Sequence, residues 1–563
     1  MTFAKRLGIA RRTFYRYLEQ YKIVGQNTLD LDSLNQLEEN SIMYQMPQTI
    51  GELLKRNIVD FPDREAFVAK SYRTEEWVRH TWKDMDSISD RVAAGLAGLG
   101  LKQGMKAAFL LTNSAECFYT YLAIHKLGVV FIPINVRLVP REVDYIVENS
   151  EADFVIAGHE FLPLAANLKG KLGAGAFVVV EKAGETLPDD VASYSALMES
   201  TDAVPQVEIK PEDVADIIYT SGTTGLPKGV VMIQKAKVAC GRLIGNSFDL
   251  ARLHCGSPKL QTAFPFFTST GSSSVMGMWL FYGFNLVLED VFNVPQTLAT
   301  MDRERPDIYG GAPAMFVFIL NHPEFANYDT SSIKKLISGA SVMPEEVIRK
   351  LVKAWPNVKI YNVYALTEGG TGGTTLYAAD ALRKVGSIGH PWAPDQELMI
   401  VDTDDRGVKP GEVGEIILKG PNIMKEYYKN PKATAETLKD GWLYTGDIGY
   451  VDAEGYLYYT DRAKDMIVRG GYNVYSVEVE NTLYEFPSIQ QCAVVGKHHP
   501  ALGEDIVAFV VLKQGASATP EEIKTFTYDK LADFKRPNDI RIVDSLPLNP
   551  TGKLDKKTIR AAL

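Results

Sequence analysis

Cysteine is scarce in this chain. Four stand in 563 residues, at positions 117, 240, 255 and 492, and none forms a CxxC pair. That excludes a disulfide framework and points to a reducing compartment, with the cytoplasm as the expected location. Long apolar runs are absent as well. The longest, MGMWLFYGFNLVL from Met276 to Leu288, is interrupted by Asn285 and falls short of the roughly 18 residues a spanning helix needs. It reads as a buried core element. No apolar stretch follows Met1, so no secretory signal is expected. Basic excess is missing too: 60 Lys and Arg face 70 Asp and Glu, for a formal net charge of −10. That balance argues against nucleic acid as a partner. It leaves room for a small anion held by local donors.

What is present divides into three zones. Residues 1–45 form a polar, helix-prone leader. Residues 46–462 alternate short β-branched runs with amphipathic stretches. FVVVE (177–181), DIIYT (216–220) and NLVLED (285–290) read as strands; EVDYIVEN (142–149) and PEEVIRKLVKAW (344–355) read as helices. Alternation of this kind predicts a mostly parallel sheet covered on both faces. Residues 463–563 read as a small α+β domain, with Val479, Leu483 and Phe486 at helical spacing on one apolar face. The expected fold class is therefore α/β. A large multi-layer N-terminal domain with mostly parallel sheets carries a small mobile α+β domain at its C-terminal end.

Chemistry concentrates first at YTSGTTGLPKGV, residues 219–230. The strand DVADIIYT runs into glycines at 222, 225 and 229, which bring backbone N–H groups close to a ligand. Thr220, Ser221, Thr223 and Thr224 add hydroxyls, and Lys228 adds a point charge. Inward-facing N–H groups make an anion nest. The loop is not of the Walker type, which needs glycine directly before the lysine and Ser or Thr after it; here Leu226-Pro227 intervenes and Gly229 follows.

This string closely resembles the signature loop of the AMP-forming adenylating enzymes: acyl-CoA synthetases, luciferases and the adenylation domains of nonribosomal peptide synthetases. Five further stretches, in the family's order, are similar to its motifs, and the resemblance covers roughly residues 46–563. In YNVYALTEGG (361–370), Tyr364, Thr367 and Glu368 match, while Ala365 replaces a usual glycine. The resemblance implies that Tyr364 stacks on adenine, Thr367 contacts the α-phosphate and Glu368 holds Mg²⁺. A carboxylate is the hard oxygen ligand that phosphate-bound Mg²⁺ prefers. In LYTGDIGYVDAEGYLYYTDRAKD, Asp447 matches the ribose-binding aspartate, Arg462 a further nucleotide contact and Lys464 the hinge between the two domains. Gly339, Ala340 and Ser341, in SGASVMP, resemble backbone that edges the adenine and the acyl pocket. Gly470 and Gly471, in GGYNVYSVEVE, leave room for the pantetheine of CoA, and Ser476 stands where proline is usual. In PLNPTGKLDKKTIR, Lys553 matches the catalytic lysine.

The implied cofactors and co-substrates are ATP, Mg²⁺ and CoA. Thr220 to Gly225 and Lys228 would bind the ATP phosphates, with Thr223 a second candidate beside Glu368 at the metal. Lys553, Glu368 and Thr367 would carry catalysis, and Phe267, Thr268 and Gly339 would edge the acyl pocket. A small carboxylic acid is the expected partner, and a second copy of the chain stays open as another.

Two further departures qualify the resemblance. FPFFTSTG places Thr268 where many acyl-CoA members have histidine, and Gln234 replaces a histidine after the glycine loop. Position 268 gates the acyl pocket in this reading, so the change touches the identity of the acid and not the reaction class. Phe264, Phe267, Val275 and Met276 suit an apolar acyl part or, equally, core. The leader AKRLGIARRTFYRYLEQYKI is similar to two helices of a helix-turn-helix, with Arg11, Arg12 and Arg16 on the second. An organellar targeting segment and a docked amphipathic helix are rival readings, and a non-catalytic appendage is the expectation. The leading function is an AMP-forming acid–CoA ligase. Its rivals are an enzyme loading a carrier-protein thiol, a DNA-binding regulator built on a retired enzyme, and a luciferase-like oxygenase.

Overall fold

The β-branched runs become the inner strands of two sheets. FVVVE forms Phe177–Val180, DIIYT ends Val214–Thr220 and NLVLED opens with Asn285–Leu288. This computed structural model describes residues 46–172, 175–220, 226–250, 258–339, 343–391, 395–549 and 554–563. The leader 1–45, with its helix-turn-helix-like reading, lies outside the described residues.

The first sheet is parallel over six strands, from Ala192–Ser193 through Phe177–Val180, Phe154–Gly158, Lys106–Leu110 and Val130–Pro133 to Val214–Thr220. Strand Lys228–Ile233 then folds back antiparallel on Val214–Thr220. Among the described residues the second sheet has fourteen strands. Its first half is parallel, as the alternation predicts, through Glu65–Lys70, Asn285–Leu288, Lys259–Thr262, Ile308–Gly311, Lys335–Gly339 and Lys359–Ala365. From Gly373 onward every pairing is antiparallel, out to Glu397–Val401. Between those strands the chain has only the short helical turns Ala378–Asp380 and Pro431–Thr437, so hairpins replace crossovers. The short strand Glu426–Tyr427 pairs with Lys228–Ile233 and ties this antiparallel half to the first sheet.

The apolar run 276–288 is buried, as expected, but it is two elements. Helix Met276–Tyr282 stops at Gly283, whose φ of 68° is the left-handed conformation that ends helices, and the strand Asn285–Leu288 follows. Trp279 stacks on Trp82 with ring centroids 4.6 Å apart, and Phe67, Phe118 and Phe266 crowd round them. Val275 and Met276 belong to this core together with Phe266; Phe264 packs against its edge and Phe267 stands outside it. Helix Gln234–Ser247 lies on Met276–Tyr282 through glycine. A Cβ added at Gly241 would stand 2.2 Å from the carbonyl oxygen of Gly277. Gly241→Ala is therefore expected to destabilise the large domain by about 1–3 kcal/mol, the usual cost of overpacking. A lowered midpoint in thermal unfolding measures it.

The last hundred residues make a five-stranded sheet centred on Gly503–Leu512, flanked by Ile489–His499, Ile467–Arg469 and the parallel strand Asp539–Ile542. Helix Ser476–Tyr484 buries Val479 and Leu483 against one face, with Phe486 at the margin. The C-terminal helix Lys556–Ala561 covers the other face through Ile559. Helix Pro520–Phe526 ends before the turn at Thr527.

Candidate active site

The strands that flank the glycine loop, Val214–Thr220 and Lys228–Ile233, pair antiparallel. Thr220 and Lys228 are register partners, and the Thr220 hydroxyl reaches the Lys228 carbonyl at 3.5 Å. Ser221, Gly222, Thr223, Thr224 and Gly225 lie outside the described residues. Lys228 Nζ sits 4.2 Å from the centroid of the Tyr427 ring, a cation–π distance. Tyr427 in turn donates its hydroxyl to Glu368 Oε1 at 2.8 Å. Burial and then the Glu368 carboxylate push the Tyr427 phenol up, so it stays a donor. The Glu368 carbonyl also accepts from the Met424 N–H at 2.8 Å. Strand Glu426–Tyr427 is held beside Val230 and Val231, and so fixes Glu368 relative to the hairpin.

Thr367 opens a short turn after strand Lys359–Ala365. Its hydroxyl lies 2.8 Å from that of Ser269, in the FPFFTSTG segment. That segment is pinned at several points. Asn113 Oδ1 accepts from the Phe266 N–H at 2.7 Å, and the Thr268 hydroxyl donates to the Pro265 carbonyl at 2.7 Å. Gly339 ends the neighbouring strand, in register with Val363. Ala340 and Ser341 lie outside the described residues.

A third group lies across the antiparallel half. Asp447 and Arg462 are register partners on strands Trp442–Val451 and Leu457–Arg462. Asp447 Oδ2 accepts from the Tyr364 hydroxyl at 2.6 Å, and Asp447 Oδ1 lies 3.0 Å from Arg462 Nε. Burial and then the Asp447 carboxylate hold the Tyr364 phenol protonated. The Asp447 carboxylate keeps the Arg462 guanidinium charged.

Residues 54–428 match the family described as AMP-binding enzyme, and residues 478–553 match the AMP-binding enzyme C-terminal domain. The chain belongs to the AMP-binding enzyme family. It is 31% identical to the long-chain-fatty-acid–CoA ligase of Bacillus subtilis (strain 168) over 553 residues, covering 92% of this chain and 96% of that one. Among solved structures it resembles the anthranilate CoA ligase AuaEII in complex with anthranoyl-AMP: TM-score 0.81, 28% identity, 92% of this chain and 98% of that one. It also resembles the o-succinylbenzoate CoA synthetase MenE of Bacillus subtilis in complex with ATP and magnesium ion: TM-score 0.77, 27% identity, 90% of this chain and 98% of that one.

Within this AMP-binding enzyme the donor set suits Mg²⁺. Glu368 offers a hard carboxylate and Thr367 a hydroxyl close by. Among the described residues no group of three or more His, Cys, Asp or Glu gathers to cage an ion. Mg²⁺ needs no such cage, since it is usually held by one or two carboxylates with substrate phosphates.

The remaining candidates are spread along the chain. Lys464 is exposed in the turn after Arg462, where the Ala463 N–H bonds back to Gly446 and the Asp465 N–H to Arg462. Gly470 and Gly471 have φ of 60° and 84° and form the two-residue tip between Ile467–Arg469 and Tyr472–Val474, a turn with two left-handed positions. Ser476 is the first residue of its helix, and its hydroxyl donates to Asp461 at 2.8 Å. Lys553 lies outside the described residues. The flanks of its loop are held by the bridge between Leu548 and Leu554 and by the Asp555 N–H to the Pro547 carbonyl at 2.9 Å. Gln234 faces the core, where its Oε1 accepts from the Ile50 N–H at 3.1 Å. Two side chains that sequence reasoning did not name join the site. Ser269 stands next to Thr268 in the FPFFTSTG stretch, which was the signal that could have found it. Tyr427 sits in the plain segment KEYYKNP and could not be told from a surface residue before the strands were paired.

Proposed function

We propose that this chain is an ATP-dependent acid–CoA ligase that works through an acyl-adenylate. The observation that carries the reading is the convergence of three segments. Lys228 beside the glycine hairpin, Glu368 and Thr367 after a parallel strand, and Ser269 in the FPFFTSTG loop are joined in one chain of contacts through Tyr427. Phosphate donors, a metal carboxylate and the rim of an acyl pocket are what adenylation must bring together.

A carboxylate is a poor acyl donor, because oxygen leaves it badly. Attack by that oxygen on the α-phosphorus of ATP forms a mixed anhydride and releases pyrophosphate. The carboxylate is already ionised near pH 7, so no general base is needed. The difficulty is charge: two anions approach, and negative charge moves onto the leaving phosphates. Preorganised donors therefore dominate. Lys228 and the hairpin N–H groups hold the β- and γ-phosphates, and Tyr427 keeps Lys228 and Glu368 in register. Thr367 meets the α-phosphate, and Asp447 takes the ribose hydroxyls while Arg462 orients it. Glu368, with Thr223 as a further donor, would hold Mg²⁺, which would supply neutralisation of the phosphate charge. Tyr364 presents its ring to adenine, and Gly339, Ala340 and Ser341 edge that pocket. Phe267 and Thr268 stand at the acyl side, and Lys553 bridges the substrate carboxylate and the α-phosphate.

In the second half-reaction the CoA thiol attacks the acyl carbon and AMP leaves. Lys553 and the Gly470-Gly471 tip belong to the same small domain and serve different half-reactions, so a rotation at Lys464 exchanges them. We place the reaction in the cytoplasm, on a chain whose described cysteines are buried free thiols. No described helix is long and apolar enough to cross a membrane.

A panel of fatty, aryl and short branched acids, scored by pyrophosphate release with and without CoA, tests this reading. The expected result is acid-dependent release and a CoA thioester. Release without thioester would assign the acyl group to a carrier-protein thiol, and no release with any acid would remove the enzymatic reading.

A further inference from the structure

Three ionisable side chains are sealed in the core beside the site, and the mechanism uses none of them. Asp216 lies on the strand that leads to the glycine loop, His125 near the end of helix Ala115–Lys126, and Lys237 in the first turn of helix Gln234–Ser247. Their side chains are 0%, 1% and 2% exposed. Lys237 Nζ pairs with Asp216 Oδ2, and His125 Nε2 stands 3.3 Å from Asp216 Oδ1. Gln234 closes the group, 3.4 Å from His125 Nδ1. Burial alone would raise the Asp216 pKa, but the Lys237 ammonium and His125 outweigh it and hold the carboxyl low. Burial lowers His125. The cluster is therefore an ion pair of Lys237 and Asp216 buttressed by an imidazole.

Buried ion pairs are weak devices for stability, because desolvation offsets most of the attraction. This one has a directed second contact. Lys237 Nζ donates to the Ser272 carbonyl at 2.7 Å and to Ser273 Oγ at 2.8 Å. Both residues lie in Thr270–Val275, a π-helical turn, a widened geometry often found at functional sites. Ser272 also reports to the acyl rim. Its N–H and its hydroxyl both donate to the Thr268 carbonyl, each at 2.9 Å. Thr268 and Ser269 are the residues that turn presents, and Ser269 touches Thr367. Gly241 packs its helix against Gly277 with no spare space, so the Lys237 backbone has little room to shift.

We infer that Lys237, charge-paired with Asp216 and with His125 buttressing that carboxylate, is a positioning residue that sets the wound turn 270–275 and thereby places Thr268 and Ser269 at the acyl pocket. This deepens the ligase reading and rests on it for the kinetic consequence. Loosening the turn should raise KM for the acid while leaving KM for ATP close to its starting value, because Lys228 stands at the far end of that chain of contacts, where strand pairing of Glu426 and Tyr427 with Val231 and Val230 anchors it.

The test uses the full chain and three variants. Lys237→Met alone strands the Asp216 carboxylate, so lost activity there reads equally as lost folding. The triple variant His125→Leu, Asp216→Leu, Lys237→Met removes every charge and allows apolar packing; Lys237→Arg keeps the cation. Thermal midpoints, amide hydrogen exchange of residues 264–275, and KM for ATP and for the acid that works best in the panel are measured. Expected for the triple variant are a midpoint near that of the unaltered protein, exchange in 264–275 at least tenfold faster, acid KM at least tenfold higher and ATP KM within twofold. Lys237→Arg should recover most of the acid KM. A triple variant with unaltered exchange and acid KM would overturn the inference, as would equal increases in both KM values. The exchange measurement needs no substrate. If no acid supports turnover, the ligase reading fails and the positioning of the turn is still decided.

Discussion

Lys553→Ala is expected to lower acid-dependent pyrophosphate release by about 10²–10³-fold or more, and to leave thioester formation from a supplied acyl-adenylate nearly unchanged. The first figure is what removing a single preorganised donor to a developing anion typically costs. Lys553 would face the adenylation transition state, where a carboxylate approaches the α-phosphate. It would be turned away when the thiol attacks. The residues that flank it are firmly placed. Asp555 caps the C-terminal helix at the Thr558 N–H. Lys556 reaches Ser476 at 2.6 Å and Glu480 at 2.7 Å, and Arg560 pairs with Asp465 at 2.8 Å. The substitution should therefore leave the small domain folded. Single-turnover assays of the two half-reactions decide it, and equal loss in both would contradict the division of labour between domain poses.

Glu368→Gln should have the second largest effect. Glutamine keeps an oxygen to accept the Tyr427 hydroxyl, now at 2.8 Å, so the link to Lys228 survives and only the charge is lost. Pyrophosphate release should fall by on the order of 10²-fold, and the Mg²⁺ concentration giving half-maximal rate should rise by tenfold or more, since a carboxylate is the ligand Mg²⁺ prefers. A magnesium titration of the variant measures both. An unchanged midpoint would show that the metal takes its protein ligand elsewhere.

Much of this architecture could be read before the strands were placed. The alternation of DIIYT, FVVVE and NLVLED with amphipathic helices predicts the parallel half of both sheets, because a buried parallel strand needs a continuous apolar run. The antiparallel half after Gly373 was not legible. Its strands, such as Trp442–Val451 and Leu457–Arg462, mix tyrosine, threonine and aspartate, since one edge faces the site. The motif residues Tyr364, Asp447 and Arg462 are brought together by strand register that local sequence does not encode. Tyr427 is the clearest case. Nothing in KEYYKNP marks it, and its place between Lys228 and Glu368 follows from a two-residue strand. Asp216 did carry a signal, a carboxylate in the middle of the apolar run VADIIY. Its partners were hidden because His125 and Lys237 come from two other helices.

The account's central claim is that the substrate carboxylate itself attacks the α-phosphorus of ATP. An acid labelled with ¹⁸O in both carboxylate oxygens, turned over with ATP, Mg²⁺ and CoA, tests it by mass spectrometry of the products. The predicted result is one ¹⁸O in each AMP, one remaining in the thioester carbonyl, and none in pyrophosphate. Unlabelled AMP, or ADP in place of AMP, would contradict it.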